Sequence, residues 1–306
     1  MKTKSLLSLS DLSAGEIENL VSLAIDIKNK KIVSQILTGK VIALLFEKPS
    51  LRTRVSFEIA IHRLGGHCLY LSPAEVGLGK REPVADVARV LDRYLDGIVS
   101  RTFAHQTLQT LDKYSQIPVI NALSDFEHPC QALADILTIY EKKGKLCSLD
   151  LAYIGDGNNV AHSLCLAAML TGIVFRIATP KGFEMDRSVI EKAKEISTQS
   201  GSKLIMTDKP GEAVSGADVV YTDVWTSMGQ EAESEQRRSI FASFQINHEL
   251  LSHARKDVIF MHPLPAHHGE EIAEGILDHP CSVAFDQAEN RLHVQQALLT
   301  KLYHDC

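Results

Sequence analysis

No apolar run in the sequence approaches the roughly 18 residues that a membrane-crossing helix requires, so no spanning helix is expected. Positive charge is not in excess either: 32 Lys and Arg stand against 38 Asp and Glu, a formal net charge of −6. That balance argues against nucleic acid or an anionic membrane as the main partner, and any anion site must be a local basic pocket. Met1–Leu9 is too briefly apolar for a secretory signal with a cleavage site, and the expected compartment is the cytoplasm. The six cysteines, Cys68, Cys130, Cys147, Cys165, Cys281 and Cys306, form no Cys-x-x-Cys pair and no repeated spacing, so free thiols are expected. His128-Pro129-Cys130 and His262…His267-His268 lack two-plus-two ligand spacing and a nearby carboxylate set, and no metal is expected. Internal repeats, low-complexity tracts and coiled-coil heptads are also missing.

What is present is a soluble composition, 45% hydrophobic and 23% charged, in a chain of 306 residues. That length exceeds a typical single domain and predicts two. Ser13-Ala14-Gly15-Glu16 is a capping box that opens a helix to about Lys30. Strand and helix then alternate: strand 40–46, helix 52–64, strand 67–71, helix 83–95, strand 97–100, helix 105–114, strand 118–121 and helix 129–142. The charged, Gly-broken stretch Glu141–Lys145 ends that series, and a domain boundary is placed there, giving 1–143 and 144–286. The second series reads strand 151–154, helix 159–171, strand 173–178, helix 186–200, strand 203–206, helix 211–216 and strand 218–222. After a long polar loop come strand 257–261, helix 269–277, strand 282–285 and a last helix from about Gln287 to Tyr303. The fold class is α/β, with two doubly wound parallel-sheet domains.

Phe46-Glu47-Lys48-Pro49-Ser50-Leu51-Arg52-Thr53-Arg54 joins a buried strand to the start of a helix. Free N–H groups, the helix dipole, the Ser50 and Thr53 hydroxyls and the Arg52 and Arg54 guanidiniums converge there within one turn, which suits a phosphate dianion. A charged, capped helix start with Arg54 in a surface salt bridge explains the same residues equally well. Gly155-Asp156-Gly157-Asn158-Asn159-Val160 also follows a strand and opens a helix, which raises a dinucleotide-dependent oxidoreductase as the rival class. The fingerprint fails twice: Val160 stands where a third Gly or Ala belongs, and the next strand, ending Ile177-Ala178-Thr179-Pro180, carries no acidic residue for a ribose. No cofactor is expected. Asn158 and Asn159 serve as helix caps or as contacts for a small polar substrate at the sheet's carboxyl edge.

Ser50-x-Arg52-Thr53-Arg54 after Phe46-Glu47 resembles the carbamoyl-phosphate motif of the aspartate and ornithine carbamoyltransferases, and further matches follow in the same order along nearly the whole chain. The resemblance implies a helix-joined pair of domains with the active site in the interdomain cleft, the last helix packing back on the first domain. It implies that Ser50, Leu51, Arg52, Thr53 and Arg291, the last in Glu289-Asn290-Arg291-Leu292-His293, hold carbamoyl phosphate. Leu51 stands where many relatives carry Thr, which leaves only the backbone N–H there. Arg101, in Ser100-Arg101-Thr102, reaches the carbonyl oxygen. In His128-Pro129-Cys130-Gln131, His128 polarises the carbonyl and Gln131 holds the NH2 group.

By the same resemblance, Asp223 of Asp223-Val224-Trp225-Thr226-Ser227-Met228-Gly229 takes the α-ammonium of ornithine, Ser227 and Met228 lie on a closing lid, and Asn159 contacts the amino acid. An aspartate site would need a guanidinium for the second carboxylate, and no Arg precedes Arg237 in this loop. His262-Pro263-Leu264-Pro265 departs from the pattern, since ornithine enzymes commonly have Cys at the position of Pro263; Pro263 and Leu264 remain on the carbamoyl-phosphate side. The loop Gly77-Leu78-Gly79-Lys80-Arg81-Glu82, with Gly77 where relatives often have Gln or His, comes in this family from a neighbouring subunit, which implies a homotrimer or a multiple of trimers. Carbamoyl phosphate and L-ornithine are the implied substrates. Transfer to another amine (aspartate, putrescine or an acylated ornithine) and a non-catalytic anion-binding relative are the alternatives.

Overall fold

The structure is a computed structural model that describes residues 3–79, 81–226 and 231–304. The chain divides into two compact units, Met1–Leu137 with Glu289–Cys306, and Thr138–Ala288. Among the described residues no helix is long and apolar enough to cross a membrane.

The first unit opens with α1 (Ala14–Lys28), whose capping box is present in both directions: Ser13 Oγ accepts from the Glu16 N–H and Glu16 accepts from the Ser13 N–H. Strands β1 (Val41–Phe46), β2 (His67–Leu71), β3 (Gly97–Arg101) and β4 (Val119–Leu123) pair in parallel in the order β2-β1-β3-β4. β1 is buried along nearly its whole length, as its continuous apolar run requires of a strand covered on both faces. Helices α2 (Leu51–Arg63), α3 (Pro73–Val76), α4 (Val84–Leu91), α5 (His105–Lys113) and α6 (Pro129–Lys143) connect and follow these strands. β3 begins at Gly97 because a side chain cannot fit there: a Cβ would lie 2.1 Å from the Tyr303 hydroxyl, which donates to the Asp96 carbonyl at 2.7 Å.

The second unit is a five-stranded parallel sheet in the order β7-β6-β5-β8-β9, from β5 (Asp150–Ile154), β6 (Val174–Ala178), β7 (Leu204–Thr207), β8 (Val219–Thr222) and β9 (Ile259–Met261). Its helices are α7 (Asn159–Thr171), α8 (Arg187–Ser200), α9 (Pro210–Val214), α10 (Ser234–Phe241) and α11 (His248–Ser252); α12 (Ala284–His304), last in the chain, belongs to the first unit from Glu289 onward. Gly157 passes against backbone, where a Cβ would meet Met185 N at 2.4 Å and the Glu184 carbonyl carbon at 2.5 Å.

Three sequence expectations fail here. The stretch 269–277 is a series of turns, not a helix: Gly269 and Gly275 sit at φ +86 and +78, and Ile272 and Ile276 are drawn singly into the core beside Ile246 and Phe260. The expected strand 282–285 is a single bridge from Ser282 to Phe260, and its apolar residues Val283 and Ala284 instead lead into α12. The long polar loop contains α10 and α11, whose buried residues are Arg237 and Phe241 in one and Leu251 in the other.

Each sheet has one point where the strand order reverses, between β1 and β3 in the first unit and between β5 and β8 in the second. Ligands of open α/β sheets bind outside the carboxyl ends of the strands at such points.

Candidate active site

At the first reversal point Phe46, the last residue of β1, is registered against Arg101, the last residue of β3, and the Glu47 N–H donates to the Arg101 carbonyl at 2.7 Å. The chain then turns into α2. Ser50 caps the helix, its hydroxyl accepting from Thr53 N, and the remaining first-turn N–H groups give an anion-binding end. Thr53 is fully buried and accepts from Arg291 Nη2 at 2.6 Å. That bond occupies an oxygen lone pair and leaves the hydroxyl proton to be donated elsewhere.

Three guanidiniums share this place. Arg101 is buried, and burial first, then the charges of Arg291 and Arg52, bring its pKa down to about 10. Burial also lowers Arg52. Among the described residues neither Arg52 nor Arg101 has a carboxylate within ion-pair distance. Like charges gathered in a half-dry site repel one another, and an anionic ligand there would relieve that cost. His128 lies in the same field: burial, then Arg291 and Arg101, hold it well below the ordinary imidazole value, so it is a neutral imidazole at neutral pH. Gln131 donates from Nε2 to Asp135 Oδ1 at 2.9 Å, and its buried Oε1 has no donor among the described residues, an acceptor suited to an N–H group.

Four residues stand differently from the arginines. Arg54 does not converge with Arg52; two residues along a helix it points away, donating to Glu58 at 2.8 Å and lying over the Tyr70 ring, so the surface salt bridge is the correct reading for that residue. Cys130 turns its thiol to the Asn121 carbonyl at 3.4 Å, and burial pushes it up to about 12, so the side chain is inert packing beside the N1 residue Pro129. Leu51 is 76% exposed at the first position of α2. Gly77, at φ +55, lines a cavity of about 110 Å³ with Leu45, Phe46, Glu47 and Phe103; that cavity is mostly apolar and includes none of the guanidiniums or His128.

At the second reversal point Asn158 does two jobs. Its Oδ1 caps α7, accepting from Val160 N and Ala161 N at 3.0 and 3.2 Å, and its Nδ2 donates to Asp223 Oδ2 at 2.9 Å, just past the end of β8. Asp223 is buried, and burial raises its pKa against the lowering effects of His262, Asn158 and the Val224 N–H. Asn159 is the half-buried first residue of α7. Ser227 and Met228 lie outside the described residues, as does Lys80. Pro263 is buried and Leu264 follows at φ +55, its N–H donating to His262 Nδ1 at 2.9 Å. With Nδ1 accepting from the Leu264 N–H, Nε2 is left to donate, and it faces Glu271 Oε1 at 3.2 Å.

These two constellations, an anion cradle and a buried carboxylate awaiting a cation, each match a described family domain. The aspartate/ornithine carbamoyltransferase carbamoyl-P binding domain matches residues 4–141, and the Asp/Orn binding domain of the same family matches residues 148–302. The chain is 52% identical over 305 residues, 99% of its own length and 97% of the other, to an ornithine carbamoyltransferase of Anoxybacillus flavithermus. Among solved structures it is similar to the ornithine carbamoyltransferase of Pyrococcus furiosus, with a TM-score of 0.94 and 50% identity over 97% of this chain and 96% of that one. The anabolic ornithine carbamoyltransferase of Campylobacter jejuni superposes with a TM-score of 0.95 at 40% identity, over 99% and 100% of the two chains.

The chain belongs to the aspartate/ornithine carbamoyltransferase family. Within this carbamoyltransferase fold, two features went unread in the sequence. Arg237, assigned to a polar loop, is buried and donates from Nη1 to Asp156 Oδ2 at 2.7 Å and to the Trp225 carbonyl at 2.9 Å, with Nε on Glu233. Its guanidinium is therefore engaged by protein groups through Nη1 and Nε. The other is the His262–Glu271 pair; the only available signal was the spacing of two polar residues around Pro263–Pro265, and spacing alone does not show that both are fully buried.

Proposed function

We propose that this chain transfers the carbamoyl group of carbamoyl phosphate to the δ-amine of L-ornithine, giving L-citrulline and phosphate, as a step of arginine biosynthesis. The observation that carries the reading is the gathering of Arg52, Arg101 and Arg291 beside neutral His128 at the capped start of α2, a local concentration of positive charge and N–H donors that suits a phosphate dianion. Arg52, Arg291, Ser50 and the first N–H groups of α2 hold the phosphate. The uncharged δ-amine attacks the carbamoyl carbon, and Arg101, neutral His128 and the Thr53 hydroxyl donate to the oxyanion that develops as the C–N bond forms; the C–O bond to phosphate then breaks, and the departing phosphate takes the proton that the attacking nitrogen loses. Gln131 Oε1 accepts from the carbamoyl NH2. Asp223, fixed by Asn158, takes the α-ammonium, with Asn159, Ser227 and Met228 completing the amino-acid side. Holding both substrates in reacting geometry supplies much of the rate.

The same reading makes the enzyme a cytoplasmic homotrimer. The unpaired thiols Cys68, Cys130, Cys147, Cys165 and Cys281 suit a reducing compartment. The outward stripe Leu51, Val55 and Ile59 on α2, 76, 47 and 39% exposed, suits a helix face covered by a neighbour. A citrulline assay over ornithine, aspartate, putrescine and N-acetylornithine tests the acceptor: product should form with ornithine and drop away with N-acetylornithine, which lacks the ammonium for Asp223. Equal turnover of putrescine and ornithine would overturn the role of Asp223, and turnover of none would overturn the transferase reading.

A further inference from the structure

No metal was expected at His262…His267-His268, yet Glu270 and Glu271 follow His267 by three and four residues, and the fold turns them toward it. The turns that replace the expected helix 269–277 bring His267, Glu270 and Glu271 together, with one ligand atom from each lying within 4.8 Å of the others. The three differ in accessibility: His267 is exposed, Glu270 half-buried and Glu271 fully buried. Their existing bonds leave ligand atoms available. Glu270 receives Arg238 on Oε1 through Nε and Nη2, at 2.9 and 2.7 Å. Glu271 receives the His267 N–H and faces His262 Nε2 with Oε1.

Glu271 Oε2 is the independent observation. It is buried and has no hydrogen-bond donor among the described residues, and His267 Nδ1 lies 3.9 Å from it. A buried carboxylate oxygen without a donor is costly and calls for a proton, a water or a cation. We propose that His267 Nδ1, one oxygen of Glu270 and Glu271 Oε2 form a site for a divalent transition-metal ion of the zinc type. One imidazole nitrogen with two carboxylates selects that class over Mg²⁺ or Ca²⁺, which take oxygen alone. Bond lengths of about 2.0–2.2 Å put tetrahedral ligand atoms roughly 3.3 Å apart. Exposed His267 and half-buried Glu270 can rotate that far while Glu271 stays where His262 and the His267 N–H hold it. The bound ion would tie the 266–271 segment to the core, and the site is independent of the carbamoyl-transfer reading.

The test uses the full-length enzyme freed of metal with a chelator and titrated with Co²⁺, followed by the visible bands of low-coordinate cobalt, and with Zn²⁺ by calorimetry. One ion per chain should bind at this site and raise Tm. His267→Ala should weaken Co²⁺ at least tenfold and abolish the Tm rise. Glu270→Gln, which keeps an oxygen for Arg238 to donate to, should do the same. In both variants the metal-free Tm and activity should match the wild type, because neither side chain belongs to the proposed carbamoyl-transfer site. Absence of saturable binding to the wild type would overturn the proposal, as would Co²⁺ binding that persists unchanged in both variants.

Discussion

Asp223 is a carboxylate whose surroundings favour its neutral form. Burial holds its pKa above the ordinary range, only partly offset by His262, Asn158 and the Val224 N–H. The sign of its effect on stability follows. With the folded-state value raised, the group's contribution is most favourable below the unfolded value near 3.9 and is lost as pH rises through the folded value, so the ionised form costs stability at neutral pH. Asp223→Asn should therefore leave Tm at pH 7 equal to or above that of the wild type, while kcat/KM for ornithine falls at least a hundredfold, about 3 kcal/mol. Calorimetry should show carbamoyl-phosphate binding unchanged. A variant that loses Tm and both ligands together would make Asp223 a folding residue. His128 supports a second prediction at this scale. Burial and the neighbouring arginines keep it neutral through the working range, so it adds no titration there. A δ-amine with a pKa near 10.4 is only about one part in a thousand neutral at pH 7.4. With Pro263 in place of Cys, kcat/KM for ornithine should climb roughly tenfold per pH unit from about pH 6.5 to 8.5, and Pro263→Cys should leave that slope intact. A flat profile would mean that a protein base removes the proton.

Elements with strong local signals were legible in the sequence. β1 is a continuous apolar run, α1 opens on a capping box, α7 ends on Gly172 in the left-handed region, and α6 begins with Pro129 at its first position. What escaped was decided by contacts distant in sequence. α10 and α11 are five to eight residues long, and their helicity rests on burying Phe241 and Leu251 rather than on propensity. The bond from Arg291 to Thr53 spans 238 positions, and no local pattern announces it. The motif residues proposed for the site were marked in the sequence by residue type and spacing, which a local pattern carries. Arg54 was left open between the anion site and a surface salt bridge because spacing was taken without helical phase. Gly97 tests the same point, since its lack of a side chain is explained only by Tyr303. Gly97→Ala should cost about 1–3 kcal/mol from the forced contact, and Tyr303→Phe about 1 kcal/mol from the lost bond to Asp96. Urea unfolding of the double variant should be less destabilised than the sum of the two, since removal of the hydroxyl opens space for the methyl. Strict additivity would show that the clash is relieved elsewhere.

At the scale of the whole molecule the open question is whether one chain holds a complete site. In the proposed trimer the loop Gly77–Glu82 of one subunit completes the site of the next, so the two kinds of damage lie in different chains. Arg52→Ala should be nearly inactive, having lost about 2–5 kcal/mol of phosphate binding in the reacting state. The double variant Lys80→Ala/Arg81→Ala should be inactive through its neighbour's site. When equal amounts of the two are dissociated in mild urea and reassembled, each interface draws its Arg52 and its loop independently. Random assortment then gives about a quarter of the interfaces an intact Arg52 beside an intact loop, and citrulline formation should recover to about that fraction of wild type. Equal amounts of either variant reassembled alone should stay inactive, which excludes refolding as the source of the recovery. If the mixture remains inactive although native mass spectrometry shows mixed trimers, each site is built from a single chain and the loop acts at home.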